Sequence, residues 1–323
     1  MASLAIGIIA TVDYAFKRML GSPEHTRITI HFLNAVLGDS LRITEVTILN
    51  PILDKEFEED KLAVLDILAE DEHGRKLNIE MQTSVGAELP QRLAYYVSSI
   101  YAGQLLAGLD YAALRPAINI CVLTKSMFPG DPRLHLDFRL RDSPGLVLTD
   151  DLQIHLLQLP KLELSADNVM DAAPIERWAY FLLHADQLSR DEIRRIFPDA
   201  EFGEAAEVLE MISKSPDEHR VYDMRLKFQR DEATRLAATQ REIAAARVEG
   251  REEGREEGRE EGRIEGLREG EAKGETKGRI AILQELLGIA KSTAEELATL
   301  DEQQLRELAE QLQTQLRNRS SKL

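Results

Sequence analysis

The chain has 323 residues, 43% of them hydrophobic, and a formal net charge of −17 at pH 7; that is enough apolar material for a sizeable core, in two domains or in one domain with a tail. No apolar run approaches the ~20 residues of a membrane-spanning helix, and the single cysteine, Cys121, excludes a disulfide framework and suits a reducing cytoplasm. The acidity argues against a broad basic face gripping nucleic acid by counterion release, although it leaves room for a local basic groove.

In chain order, LAIGIIA at 4–10 is short with no basic residue before it, so it reads as the lead-in to a first helix, not a signal peptide. DYAFKRMLG at 13–21 reads as that helix, with Asp13 a candidate N-cap and Lys17 on the same face. ITIHFLNAVLG at 28–38 predicts a second helix closed by Gly38. TEVTILNP at 44–51 predicts a strand ended by Pro51.

The stretch from Lys61 to Thr83 carries the most chemistry. LAVLDILA at 62–69 reads as a buried strand, DEHG as a turn in which Gly74 takes a positive φ, and RKLNIEMQT as an alternating strand. On that strand Leu77, Ile79 and Met81 point one way, and Asn78, Glu80 and Gln82 the other. Glu80 and Gln82 are therefore neighbours, roughly 6.5 Å apart. The hairpin can bring Asp66 beside Glu80. Two carboxylates close together in a half-buried sheet repel unless a cation lies between them, and Mg²⁺ favours oxygen ligands. The plainer alternatives are an ion pair of Asp66 with Arg75 or Lys76, and a Glu80 on the solvent face of an edge strand.

QRLAYYVSSIYAGQLLAG at 91–108 predicts a helix ending at Gly108. AINICVLT, LHLDFRLRD and LQIHLLQLP predict three further strands, with Cys121 a buried strand thiol. His25, His31 and His73 have no metal-ligand spacing, and no Ser/His/Asp grouping, P-loop or cysteine cluster is present.

Asp13-Tyr14-Ala15-Phe16-Lys17-Arg18-Met19-Leu20-Gly21 resembles the opening D-x-x-F-K-x-x-F-G signature of the Rpn family, the bacterial recombination-promoting nucleases grouped with transposases. Ile79-Glu80-Met81-Gln82 resembles the family's I-E-x-Q, and Arg92-Leu93-Ala94-Tyr95-Tyr96, with Tyr101 and Gln104 beyond it, resembles its R-x-x-Y-Y helix. The likeness spans about residues 12–165. It implies an α/β fold, the restriction-endonuclease-like PD-(D/E)xK core, with a mixed sheet flanked by helices. It further implies a DNA endonuclease of low sequence specificity linked to recombination or mobile DNA. Mg²⁺, or Mn²⁺ or Ca²⁺ in vitro, would be held by Asp66, Glu80 and the Met81 carbonyl, with Asp13 a further acidic contact. Gln82 stands where most nucleases of this fold carry Lys and would orient the attacking water. Arg92, Tyr95 and Tyr96 would position the scissile phosphate. A competing reading is a catalytically inactive nuclease-fold module that binds partners or DNA. The missing Lys and the acidity favour that reading, and the Asp66/Glu80 pair opposes it. Residues 1–165 hold 15 Lys and Arg against 22 Asp and Glu, a balance of −7.

Residues 1–165 are thus expected to form the nuclease-like domain, followed by a helical region at 166–246. At 247–279 Gly recurs every four residues, at 250, 254, 258, 262, 266, 270, 274 and 278, with mainly Arg and Glu between. Each interior Gly costs a helix about 1 kcal/mol against Ala, and Glu–Arg pairs return a few tenths, so an isolated helix here should be marginal. The array reads either as a solvated spacer or as a stripe for close helix association, a coiled-coil-like route to a homo-oligomer through the C-terminal helical region. Residues 280–323 read as a small helical unit, with a capping-box-like start at Ser292–Glu296 and helices too acidic for a DNA groove.

Overall fold

Six strands build one mixed sheet: β1 Val46–Ile48, β2 Ile67–Asp71, β3 Lys76–Gln82, β4 Ala117–Leu123, β5 His135–Arg141 and β6 Val147–Gln158, in the order β1-β2-β3-β4-β6-β5. The structure is a computed structural model that describes residues 4–38, 41–49, 67–105 and 110–320. Two compact units divide the chain at 236/237, and the sheet belongs to the first.

The expected hairpin is β2–β3. Its turn closes at Gly74, whose φ of 76° is inexpensive only for glycine, and Gly74 N–H donates to Asp71 O at 2.9 Å. The pair is antiparallel, with Ile67 opposite Ile79. The predicted strand residues 62–66, Pro51 and Gly108 lie outside the described residues. The chain then crosses through helix α3, Leu89–Ala102, to β4, which lies parallel to β3; a parallel neighbour requires such a crossover. The sequence expectation carried α3 to Gly108, but the helix ends at Ala102. Beyond it Gln104 turns to bond the main chain of Arg115 in both directions, at 2.9 and 3.1 Å, tying the helix exit to the entry of β4.

Pairing across strands sorts the side chains by face. Ile67, Ala69, Leu77, Ile79, Met81, Ile118, Ile120, Val122 and Leu157 form one apolar face, covered by helices α1, Asp13–Leu20, and α2, Thr26–Leu37. Ile6 and Ile8 of the expected lead-in are buried in the same core, and Ile6 N–H bonds Leu188 O at 3.0 Å. The opposite face carries Glu80, Cys121, Leu123 and Leu156, and α3 closes it with Leu89 and Leu93. β3 is therefore a central strand buried on both faces, and the edge-strand alternative for Glu80 does not hold.

The core does not stop at residue 165. Helices α4, Pro174–His184, α5, Arg190–Ile196, and α6, Ala200–Lys214, add Trp178, Phe181, Ile193, Phe197 and Phe202 to it. Trp178 is fully buried, meets Phe32 of α2 edge-on at 5.4 Å, and donates its indole N–H to His31 Nδ1 at 3.0 Å. Helix α7, Pro216–Leu287, starts in the same unit: Tyr222 Oη accepts from Ile9 N–H at 3.0 Å, and Arg18 pairs with Glu218 at 2.7 Å.

One buried polar cluster lies on β5 and β6. His155, 2% exposed, bonds His135 at 3.0 Å ring nitrogen to ring nitrogen. Burial, seconded by the fields of His135 and Arg139 and opposed by Asp137, lowers the His155 pKa from 6.5 to about 4. The native state thus binds fewer protons than the unfolded chain between those values, and stability should fall as pH drops through that window. Melting temperatures measured from pH 7 to pH 4 should decline, and His155→Gln should remove the larger part of the slope.

The second unit holds the rest of α7, α8, Ala294–Ala298, and α9, Glu302–Ser320. Ile280, Leu283, Leu287, Leu297, Leu305, Ala309 and Leu312 form its core. The predicted capping box is present: Thr293 Oγ1 accepts from Glu296 N–H at 3.2 Å, and Glu296 Oε2 from Thr293 N–H at 2.8 Å. The Gly array is not a break in structure, because α7 runs through it as one helix. The marginal-helix expectation treated the segment alone; flanking helix on both sides removes the nucleation cost. A Cβ at any of the eight glycines meets nothing within 4 Å among the described residues. Gly254→Ala and Gly258→Ala should each add up to about 1 kcal/mol to helix stability, read as helical ellipticity on heating. Loss of self-association instead would support close helix packing through these glycines.

Candidate metal and DNA site

Glu80 sits at the centre of β3, only 2% exposed, on the face closed by α3. Asn78 Nδ2 donates to Glu80 Oε1 at 2.5 Å, and Gln82 Nε2 to Oε2 at 3.4 Å. The period-two alternation sets these three side chains on one face, and β4 aligns Asn119 with Asn78 and Cys121 with Glu80. Asn78 and Asn119 are fully buried; among the described residues Asn78 Oδ1 and both amide atoms of Asn119 have no hydrogen-bond partner. A buried amide atom left without a partner costs about 1–3 kcal/mol, so this polar layer beside Glu80 is unlike an ordinary apolar core. Sequence reasoning placed Asn78 on this face but gave it no role. It missed Asn119, because parallel register is not legible in one strand.

Arg92 approaches from α3. Its guanidinium donates to Tyr96 Oη at 3.5 Å and lies 5.7 Å from the centre of that ring. Burial draws the Arg92 pKa down, but the Tyr96 hydroxyl and the fields of Tyr96, Glu80 and Cys121 outweigh it and raise the pKa. The cation is thus within electrostatic reach of Glu80. Tyr96 is half-buried, and Tyr95 is 68% exposed with its ring 6.0 Å from that of Tyr96. Tyr101 serves as a strut, donating to Asp151 Oδ2 at 2.8 Å.

Asp13 is at the first turn of α1, not its cap, which is Val12. Its carboxylate accepts from Tyr14 N–H at 2.7 Å and lies 3.7 Å from Arg225. Met81 turns its side chain to the opposite face, leaving its main-chain carbonyl between Glu80 and Gln82. Asp66 lies outside the described residues; the residue after it, Ile67, pairs with Ile79, the residue before Glu80. Arg75 and Lys76, the alternative partners for Asp66, pair with Asp71 and Glu70. Among the described residues no three His, Cys, Asp or Glu side chains gather as a metal group. The Glu80 carboxylate is a hard oxygen donor of the kind that suits Mg²⁺.

A mixed sheet with helices on both faces, a crossover helix after the Glu-bearing hairpin strand, and a Glu-x-Gln whose Glu80 is buried at the sheet centre define a restriction-endonuclease-like core. Residues 10–239, more than two thirds of the chain, match the PD-(D/E)XK nuclease family transposases, and the chain belongs to that family. The match includes α4–α6 and the start of α7 as well as the sheet. Neither curated proteins nor solved structures give a match. No helix among the described residues is long and apolar enough to cross a membrane.

Proposed function

We propose that this protein is a divalent-metal-dependent DNA endonuclease of low sequence specificity, acting in recombination or with mobile DNA. The observation that carries the reading is the Glu80 carboxylate, buried at the sheet centre and gripped by the amides of Asn78 and Gln82. A buried carboxylate is costly without a cation or several donors, and such groups concentrate at functional sites. Glu80, Asp66 and the Met81 carbonyl would hold Mg²⁺ or Mn²⁺, with Asp13 at one remove. When bound, such a cation lowers the pKa of a ligated water and neutralises charge building on the phosphate.

The protein's own groups then divide the work. Asn78 fixes the Glu80 carboxylate. Gln82, bonded to the same carboxylate, presents the remainder of its amide to the attacking water; it orients but cannot carry charge. Arg92 supplies the positive charge that Gln82 lacks, and Tyr96 holds the guanidinium for the scissile phosphate. Tyr95, exposed beside them, contacts the DNA backbone.

Gln82→Ala should lower cleavage about 10- to 100-fold with metal affinity kept, as expected of a group acting beyond the ligands. Gln82→Lys should keep or raise activity. Calorimetric titration with Mn²⁺ beside single-turnover plasmid nicking separates the two effects. Parent-like nicking by both variants removes Gln82 from the mechanism, and Mn²⁺ binding unchanged in Glu80→Gln removes the metal assignment.

A further inference from the structure

β5 is the terminal strand of the sheet, and among the described residues no strand pairs with its outer edge. It is seven residues long and has no proline. Arg139 pairs with Gln153, Leu140 with Thr149 and Arg141 with Val147, so the extra residues at both irregularities belong to β6 and β5 keeps its pleat. Phe138 and Leu140 are 43% and 45% exposed. Long edge strands of this kind are ordinarily shortened, bent or guarded by charge, because they template pairing with another chain.

The order of side chains on β5, His-Leu-Asp-Phe-Arg-Leu-Arg, is self-complementary about Phe138. Leu136 and Leu140 flank it symmetrically, and Asp137 and Arg139 flank it with opposite charge. We propose that β5 is a homodimerisation edge on which a second copy of this chain lays its own β5 antiparallel, about a two-fold axis at Phe138. In that register Asp137 faces Arg139 of the second copy and Arg139 faces its Asp137. Leu136 faces Leu140, and Phe138 faces itself. Opposite charges directly across strands stabilise the pair, and like charges destabilise it. Centring the axis on Asp137 or Arg139 instead sets that residue against itself, so the charges select one register. A two-fold interface of this type uses the same patch on both copies and closes at two. Within one chain Arg139 bonds Asp137 at 3.0 Å and Asp150 of β6 at 2.5 Å, so both charged side chains of the pair lie on one face of the sheet. At the strand ends His135 faces Arg141; burial keeps the His135 pKa below its ordinary value, so the pair does not repel at pH 7.

This interface is independent of the metal reading, and its test does not use cleavage. In full-length Phe138→Cys the only other cysteine, Cys121, is fully buried. Symmetric strand residues approach to disulfide distance, so mild oxidation with diamide should link two chains through position 138. Adding Asp137→Arg or Arg139→Asp should cut the linked fraction about tenfold, by setting like charges opposite each other. Mixing those two reversed chains should restore linkage, because every opposed pair again has opposite sign. The double variant Asp137→Arg/Arg139→Asp should link as the parent does, and circular dichroism shows that each chain is folded. Absence of linkage, linkage indifferent to the single reversals, or folded reversed chains that fail to link when mixed would each overturn the proposal.

Discussion

Glu80→Ala should reduce metal-dependent DNA cleavage by at least about a thousandfold, and Glu80→Gln, which keeps the shape, should do nearly the same. The carboxylate is buried and engaged by two amides, so the charge itself is what the site preserves. Glu80→Gln separates chemistry from folding: its side chain still fills the space beneath α3 and can still accept from Asn78. Asp66→Ala is expected to match it, since the neighbours of the two acids, Ile67 and Ile79, face each other across the hairpin. The check is the rate of supercoiled plasmid loss with Mg²⁺ or Mn²⁺, beside thermal melts of each variant. Folded Glu80→Gln that cuts at the parent rate would remove Glu80 from the mechanism.

Trp178→Ala should destabilise the first unit by about 3–5 kcal/mol. The side chain is fully buried among Phe32, Phe181 and Phe202, and its removal also leaves His31 without the indole donor. Trp178 lies beyond residue 165, outside the stretch whose motifs carry the family resemblance. Its core contacts nevertheless join α4 to α2, so the sheet and the helical layer should melt together. Calorimetry of Trp178→Ala should show one transition for this unit, shifted down, with cleavage lost at the same temperature. A variant in which the sheet melts as in the parent while the helices melt early would show that residues 166–236 fold separately.

The hairpin was readable because its signals are local. Alternation in RKLNIEMQT set Asn78, Glu80 and Gln82 on one face, and the glycine of DEHG marked the turn. Alternation states which residues share a face but not what covers it, and that decides the environment of Glu80. Only the crossover shows α3 closing that face, β3 lying mid-sheet and Asn119 aligned with Asn78. The reach of Arg92 toward Glu80 was hidden for the same reason, since helix and strand are far apart in sequence. The Gly array misled in the opposite direction. Its propensity was judged residue by residue, whereas in the chain it is the interior of a helix already nucleated on both sides. The helix was expected to run to Gly108, whereas it ends at Ala102 with Gly103 as its cap residue and Gln104 bonded to the main chain of Arg115.

The most direct test of the central claim is plasmid nicking by the purified full-length protein, titrated with Mg²⁺ and Mn²⁺ and repeated after chelation. The expected result is cleavage that appears with either metal, disappears with chelator and is absent in Glu80→Gln. Folded protein that binds neither metal and leaves plasmid intact at every concentration would contradict it, and would make this chain a nuclease fold kept for binding alone.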